Sequence, residues 1–367
     1  MKKPTRRRFL ATATLLAAAA PLQSCSSSDG PYVRAVEETW RPFDGRITER
    51  AALQRELVRY ATLAPSSHNT QCWRFTLEDR RISILPDLAR RCPAVDPDDH
   101  HLFVSLGCAA ENLVQAALAR GLRSEVRFDS SAGGAVRVDF EPAKPLESPL
   151  FRAIPARRCT RAEYDGRPLL LDELRALERA GTGNGVRVLM LTGRSRIDRV
   201  AEYVVRGNTM QMDDPAFMNE LRTWIRFNDA EAIAKGDGLS TRATGNPSLP
   251  RWLGDVAFKF AFTPKSENER YRTFIASSAG IAAFVSDASD ARHWVEAGRC
   301  YERFALQAAA LGVRTAMVNQ PVEVSSLRPE FARSLGIAQG RPDLIVRFGR
   351  GPEMPRSLRR PVRAVIV

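Results

Sequence analysis

Pro65-Ser66-Ser67-His68-Asn69-Thr70-Gln71-Cys72-Trp73-Arg74-Phe75 decides how the rest of the chain is read. A proline, two serines and three amide or hydroxyl side chains in succession make a turn, because each favours bent backbone or bonds its own main chain. Such a turn points N–H groups and short polar side chains at one place, which suits the polar edge of a flat heterocycle. A solvated turn ahead of a hairpin fits the same residues. The turn runs into alternation: Trp73, Phe75 and Leu77 against Arg74, Thr76 and Glu78. A second alternating run follows at 81–85 after a short polar turn, so a β-hairpin is expected.

Further along, two segments align without gaps at an offset of 191 residues. Val104, Gly107, Glu111, Gly121 and Arg123 fall on Val295, Gly298, Glu302, Gly312 and Arg314. Each copy reads as an amphipathic helix closed by glycine, where a helix C-terminus wants a left-handed residue. Strands are expected after each, at 125–128 and 314–318. Further strands are expected at 136–140, Val186–Leu191, 344–348 and 362–367, with a helix at 172–180. Pro142, Pro145 and Pro149 mark a linker. The fold class expected is α/β (α+β), with two duplicated halves at 40–145 and 150–367 forming a pseudo-dimer within one monomeric chain.

Residues 1–30 form a separate segment. Arg6-Arg7-Arg8-Phe9-Leu10 precedes the apolar run 11–20, which is short of the ~20 residues a spanning helix needs. It resembles a twin-arginine leader, which implies export of an already folded protein by the Tat machinery. Leu22-Gln23-Ser24-Cys25 resembles a lipobox, followed by a polar tether. Lipidation of Cys25 and simple cleavage nearby are both open. The localisation expected is the periplasm or the outer face of the cell envelope. The formal charge is +13, of which the leader supplies +5, leaving +8 spread among interspersed acids. This suits phosphate ligands or an anionic membrane, and no zinc-finger spacing or arginine-rich arm points to nucleic acid. Five cysteines remain after Cys25, an odd number without Cys-x-x-Cys spacing, and free, mostly buried thiols are expected.

The opening turn resembles the "PSSxNxQPW" segment of the nitroreductase family, with Cys72 where proline is usual. In that family the loop lies against the isoalloxazine ring of FMN. The resemblance therefore assigns Pro65, Ser66, Ser67 and Asn69 to the ring, while His68 either touches ligand or caps the turn. Arg157-Arg158-Cys159-Thr160-Arg161 resembles the family's "RRSxR" motif, with Cys159 in place of serine. There, arginines four apart on a helix's first turn clamp the phosphate by forked hydrogen bonds. Ser357-Leu358-Arg359-Arg360-Pro361-Val362 resembles the closing segment, whose basic residue also reaches the phosphate, and Asn319 matches a segment passing beside the flavin. Residues 220–228 and 236–239 resemble the Acg-type branch, in which a segment such as 205–265 folds as a lid.

The resemblance implies one FMN site built by both halves and hydride transfer at flavin N5 to an unknown acceptor, with no catalytic side chain required. The electron donor is open, because NAD(P)H is not expected outside the cytoplasmic membrane. The alternative is a flavin-binding protein without turnover, its ring sealed for storage or sensing. Asp96-Pro97-Asp98-Asp99-His100-His101 is expected to be an acidic helix N-terminus rather than a metal site, and no metal is expected elsewhere.

Overall fold

The computed structural model describes residues 30–43 and 47–367. The leader, the lipobox and most of the tether lie outside the described residues. Helix α1 (Pro31–Trp40) and helix α2 (Arg50–Thr62) lead to the hairpin of β1 (Trp73–Glu78) and β2 (Arg81–Pro86), registered Trp73 opposite Pro86. Helix α3 (His100–Ala119) follows, then β3 (Leu122–Asp129) and β4 (Ala135–Pro142). These four strands form one antiparallel sheet in the order β1-β2-β4-β3. Asp96 fits the acidic N-terminus expected for α3, accepting from the N–H groups of His101 and Leu102 at 3.0 and 2.9 Å.

Residues 143–148 carry no regular structure, as the three prolines suggested. A short helix α4 (Pro149–Ala153) and a 3-10 turn then bring the chain to Arg157. Arg157–Arg161 is not the first turn of a helix. It runs extended, because Cys159 bridges Thr315 and the Thr160 N–H donates to the Thr315 carbonyl at 2.9 Å. Beyond it lie α5 (Leu171–Gly181), β5 (Val186–Leu191) and α6 (Arg194–Met212).

The candidate lid consists of α7 (Pro215–Trp224), β6 (Ile225–Arg226), α8 (Asp229–Lys235), β7 (Leu239–Ser240), α9 (Thr241–Thr244) and α10 (Arg251–Phe260). Its first expected residues, 205–212, are instead the end of α6, whose Val200 and Val204 are fully buried.

The rest is α11 (Pro264–Ala276), β8 (Gly280–Ser286), α12 (Ala291–Ala310), β9 (Arg314–Met317), α13 (Gln320–Glu323), α14 (Arg328–Ser334) and β10 (Arg341–Gly349). The second antiparallel sheet is ordered β5-β8-β10-β9. Sequence alternation did not reveal β8, because all seven of its residues are buried and both faces are covered. The expected strand at 362–367 is a 3-10 turn whose tail meets the edge of β1 by a single bridge, Phe75 to Ile366. Pro361 has no N–H to donate to a ladder there.

Helices α3 and α12 pack on each other between the two sheets. They approach at glycines: a Cβ on Gly107 would overlap the Val295 carbonyl oxygen, and one on Gly298 the Val104 carbonyl oxygen. One hydrophobic core spans both sheets, with Phe75, Leu106, Leu113, Phe284 and Phe304 all fully buried within it. The five cysteines among the described residues are free, and all but Cys159 are buried.

Candidate functional site

The Pro65–Gln71 turn bends tightly. His68, Asn69 and Gln71 all have positive φ, at 46°, 54° and 54°. A non-glycine residue there costs about 1–2 kcal/mol, so the surroundings must hold the turn in place. They do so by named bonds. The Ser66 hydroxyl accepts from the Gln71 N–H at 2.9 Å. The Asn69 amide donates to the carbonyls of Gly238 at 3.0 Å and Leu358 at 3.3 Å. Gln71, fully buried, donates to the Gly236 carbonyl and accepts from the Arg360 N–H, each at 2.8 Å. The turn is thus fastened to the 236–238 segment of the candidate lid and to the C-terminal segment together.

Two adjoining cavities open on it. The larger, about 250 Å³, is walled by Pro65, Ser66, Ser67 and His68 from the turn, by Met317 at the end of β9, and by Asn319, Gln320 and Glu323 beyond it. Phe217, Leu221 and Leu239 close it from the lid. The smaller, about 70 Å³, is walled by Pro65, Ser66, Asn69, Arg157, Arg158, Cys159, Arg161 and Arg359. Pro65, Ser66 and Arg161 belong to both, so the two are ends of one elongated space. Of the residues named from sequence, Arg360 alone lines neither. Its guanidinium bonds the carbonyls of Gln71 and Ala364 and lies 3.7 Å from Asp87, which turns it away.

The arginines at the smaller end are not equivalent. Arg359 is buried and spends all five N–H groups on protein oxygens: Thr62, Leu63, Ala64, Leu358 and the Ser357 hydroxyl. Three of these are carbonyls at the end of α2, where a cation is favoured. It therefore offers a ligand charge rather than a hydrogen bond. Arg157 donates to the Leu63 carbonyl at 2.9 Å and pairs with the buried Glu302 at 3.2 Å. Burial lifts the Glu302 carboxyl to about 7 against the pull of Arg157. Burial, and then the charge of Arg157, push Arg359 down to about 9. Two buried cations beside one carboxyl that is itself raised to about 7 favour a further anion. Arg158 donates to the Met354 carbonyl at 2.8 Å. Arg161 has no carboxylate within 4.0 Å and makes no hydrogen bond among the described residues.

The ring-sized end holds other chemistry. The Asn319 carboxamide is committed to the Ile345 N–H at 2.8 Å, so its side chain builds the wall. Burial raises the Glu323 carboxyl, which lies 3.5 Å from His101 Nε2 and accepts from Gln211 at 2.7 Å. A proton can be held there. Burial, then the charge of Arg161, lower His68 to about 4, so it lines the cavity as a neutral imidazole. His68, Cys92 and Glu220 place one ligand atom each within 4.8 Å of one another. Both Glu220 oxygens already accept from the N–H groups of Ala94 and Val95, and burial raises the Cys92 thiol, so the trio reads as packing between lid and turn.

Sequence reasoning missed Tyr271, Gln211 and Glu323, which carry no motif and reach the cavity only through the packing of α6, α11 and α13. His101 was visible in the Asp-rich segment but was read only as part of a helix start.

No family model matches the chain. It is 24% identical over 324 residues to "Putative NAD(P)H nitroreductase Rv3131" of Mycobacterium tuberculosis, covering 85% of this chain and 90% of that protein. It is 23% identical over 325 residues to "Putative NAD(P)H nitroreductase acg" of the same organism, covering 85% and 94%. Among solved structures it is similar to the FMN-dependent nitroreductase NfnB of Mycobacterium smegmatis, at 17% identity and a TM-score of 0.38 over 57% of this chain and 94% of that one. Both alignments run over most of this chain and of each mycobacterial relative.

Proposed function

We propose that the chain is an exported, FMN-binding oxidoreductase of the nitroreductase type. The observation that carries this is Arg161, a guanidinium unpaired among the described residues, where a small cationic end meets a ring-sized cavity. The donor set fits the cofactor. Arg161 and the uncommitted donors of Arg157 face the smaller end, and Arg359 adds charge, which suits a phosphate dianion. Pro65, Ser66 and Ser67 frame the larger end, and the side-chain oxygen of Gln320 is buried there with no hydrogen-bond partner among the described residues.

FMN bound there would supply a two-electron carrier able to take hydride from a reduced donor and pass it to an acceptor. The chain's own part is to hold the phosphate, exclude water beneath Phe217 and Leu221, and keep a proton near the wall at Glu323 and His101. The names of the mycobacterial relatives favour a nicotinamide donor. Export, expected from the leader, favours a donor of the cell envelope instead. The duplicated halves at 40–145 and 150–367 would make the chain its own pseudo-dimer, with a single intact site.

A second reading is favoured by the lid's fastening. Gly238 is bonded to Asn69 both ways, N–H to carbonyl at 3.1 Å and amide to carbonyl at 3.0 Å. The buried Asp237 is clamped between Arg90 and Arg226. A lid that stays shut would make the protein a flavin carrier without turnover. Anaerobic addition of NADPH to the flavin-loaded protein separates the two. Bleaching of the flavin band supports a working reductase. A band that persists with NADPH and bleaches with dithionite supports the sealed carrier.

A further inference from the structure

Helix α10 lines neither cavity and turns an apolar stripe outward. Trp252, Val256 and Phe260, four residues apart on one face, are 70%, 47% and 69% exposed. The opposite face is anchored: Gly254 meets the Phe227 ring, and Phe258 stacks on Phe262 at 5.1 Å within the cluster formed with Phe217 and Leu221. Lys259 beside the stripe and Lys265 just beyond it are exposed and have no carboxylate within 4.0 Å among the described residues. Asp255, the acid of this helix, is engaged by Arg222 at 2.9 Å and Arg251 at 3.5 Å. An apolar stripe with tryptophan at one end, phenylalanine at the other and lysines without a carboxylate partner alongside is the pattern of a helix lying in a lipid interface.

A second observation points the same way. The chain enters the fold at this lid. Tyr32 of α1 bonds the Ser240 hydroxyl at 3.0 Å and packs with Ala232 of α8. Helix α8 is joined to α10 by Glu231 to Arg251 at 3.3 Å, and the segments just before each helix by the Leu249 N–H to the Phe227 carbonyl at 2.9 Å. Gly30 comes five residues after Cys25, a reach of at most ~18 Å. If Cys25 carries a lipid rather than being cleaved away, the tether would hold the lid side of the molecule against a bilayer.

We propose that α10 docks on an anionic phospholipid surface. Trp252, Val256 and Phe260 enter the boundary between headgroups and acyl chains, and Lys259 and Lys265 meet the phosphates. The docking does not depend on the flavin reading. Its force is the apolar stripe plus a salt-screened charge attraction.

The test uses the full chain with phosphatidylglycerol vesicles whose acyl chains carry bromine, and with phosphatidylcholine vesicles as control. Trp40, Trp73 and Trp294 are buried, Trp224 is partly so, and the leader has no tryptophan, so Trp252 dominates any quenching by lipid. Bromine quenching of Trp252 is expected with the anionic vesicles, falling at least about threefold in 0.5 M salt and in the neutral vesicles. Trp252→Phe should remove the quenched component, and Val256→Asp and Phe260→Asp should each reduce it about tenfold with an unchanged far-UV circular dichroism spectrum. Quenching that survives Trp252→Phe, or that is equal in neutral vesicles, would overturn the proposal. So would a concentration-dependent dimer dispersed by Phe260→Asp without any quenching, since the stripe would then serve a second copy of the chain.

Discussion

Gly107 and Gly298 face each other's helices across the centre of the molecule in reciprocal fashion. A side chain on the first would strike the carbonyl of Val295, and one on the second the carbonyl of Val104. Both pairs of numbers differ by 191, the offset at which the two helices align, so the close contact obeys a two-fold relation. We take this as support for an internal duplication folded onto itself. Gly107→Ala and Gly298→Ala should each destabilise the fold by at least about 2 kcal/mol, since the obstacle is backbone and cannot swing aside. Denaturant unfolding checks this. Strongly unequal costs would contradict a symmetric contact.

Arg157 and Arg161 should separate in their effects although they belong to one motif. Arg157→Ala leaves Glu302 buried without its cation and should cost about 3 kcal/mol of stability. Arg161→Ala removes no hydrogen bond or ion pair to a described residue, so its thermal midpoint without flavin should stay near that of the parent. Its FMN affinity should fall about 30- to 100-fold, the worth of a charge-assisted pair. Flavin titrations beside melting curves would tell the two apart.

Glu302 also carries a pH signature. Its folded value of about 7 lies above the ordinary carboxylate range, so its contribution to stability is fully present below about 4.5 and is lost as pH rises through 7. Asp96 and Asp343 behave alike, raised by burial to about 7, while the lowered values of His68, His100 and His101 act in the opposite direction over an overlapping range. The parent's own pH profile therefore blends opposing slopes. Relative to the parent, Glu302→Gln should gain stability between pH 4.5 and 7, approaching about 1.4 kcal/mol per pH unit, the worth of one proton. Parallel curves for the two proteins would show that Glu302 titrates normally.

The lid's hold on the turn rests on Asn69. Asn69→Gly keeps the positive φ easy and deletes the amide bonds to Gly238 and Leu358. Hydrogen exchange across 225–245 should accelerate about tenfold, and reduction of bound flavin by NADPH should speed up if lid opening limits access. Exchange unchanged from the parent would place the fastening elsewhere, at Asp237 and its two arginines.

Much of this was legible because short-range chemistry wrote it. The hairpin followed from alternation at 73–85, and α3, α12, β3 and β9 from glycine-capped amphipathic runs. Eight of the eleven residues expected to bind cofactor line the smaller cavity, and Ser67 and Asn319 line the larger. What escaped depends on tertiary partners. The run at 157–161 is extended because β9 offers Thr315 to pair with, which no local preference announces. Arg360 turns away because Gln71, a buried residue with positive φ, claims its neighbourhood. Strand β8 hides because burial on both faces erases alternation. Tyr271 and Glu323 join the cavity through helices whose exposed faces look ordinary in sequence.

The central claim is that the cationic end of the space holds the phosphate of a flavin mononucleotide. A fluorescence titration of the flavin-free protein with FMN and with riboflavin, repeated on Arg161→Ala, tests it most directly. The account predicts that FMN binds at least about 100-fold more tightly than riboflavin in the parent, with most of that preference lost in the variant. Equal binding of the two flavins, or an undiminished preference for FMN without Arg161, would contradict it.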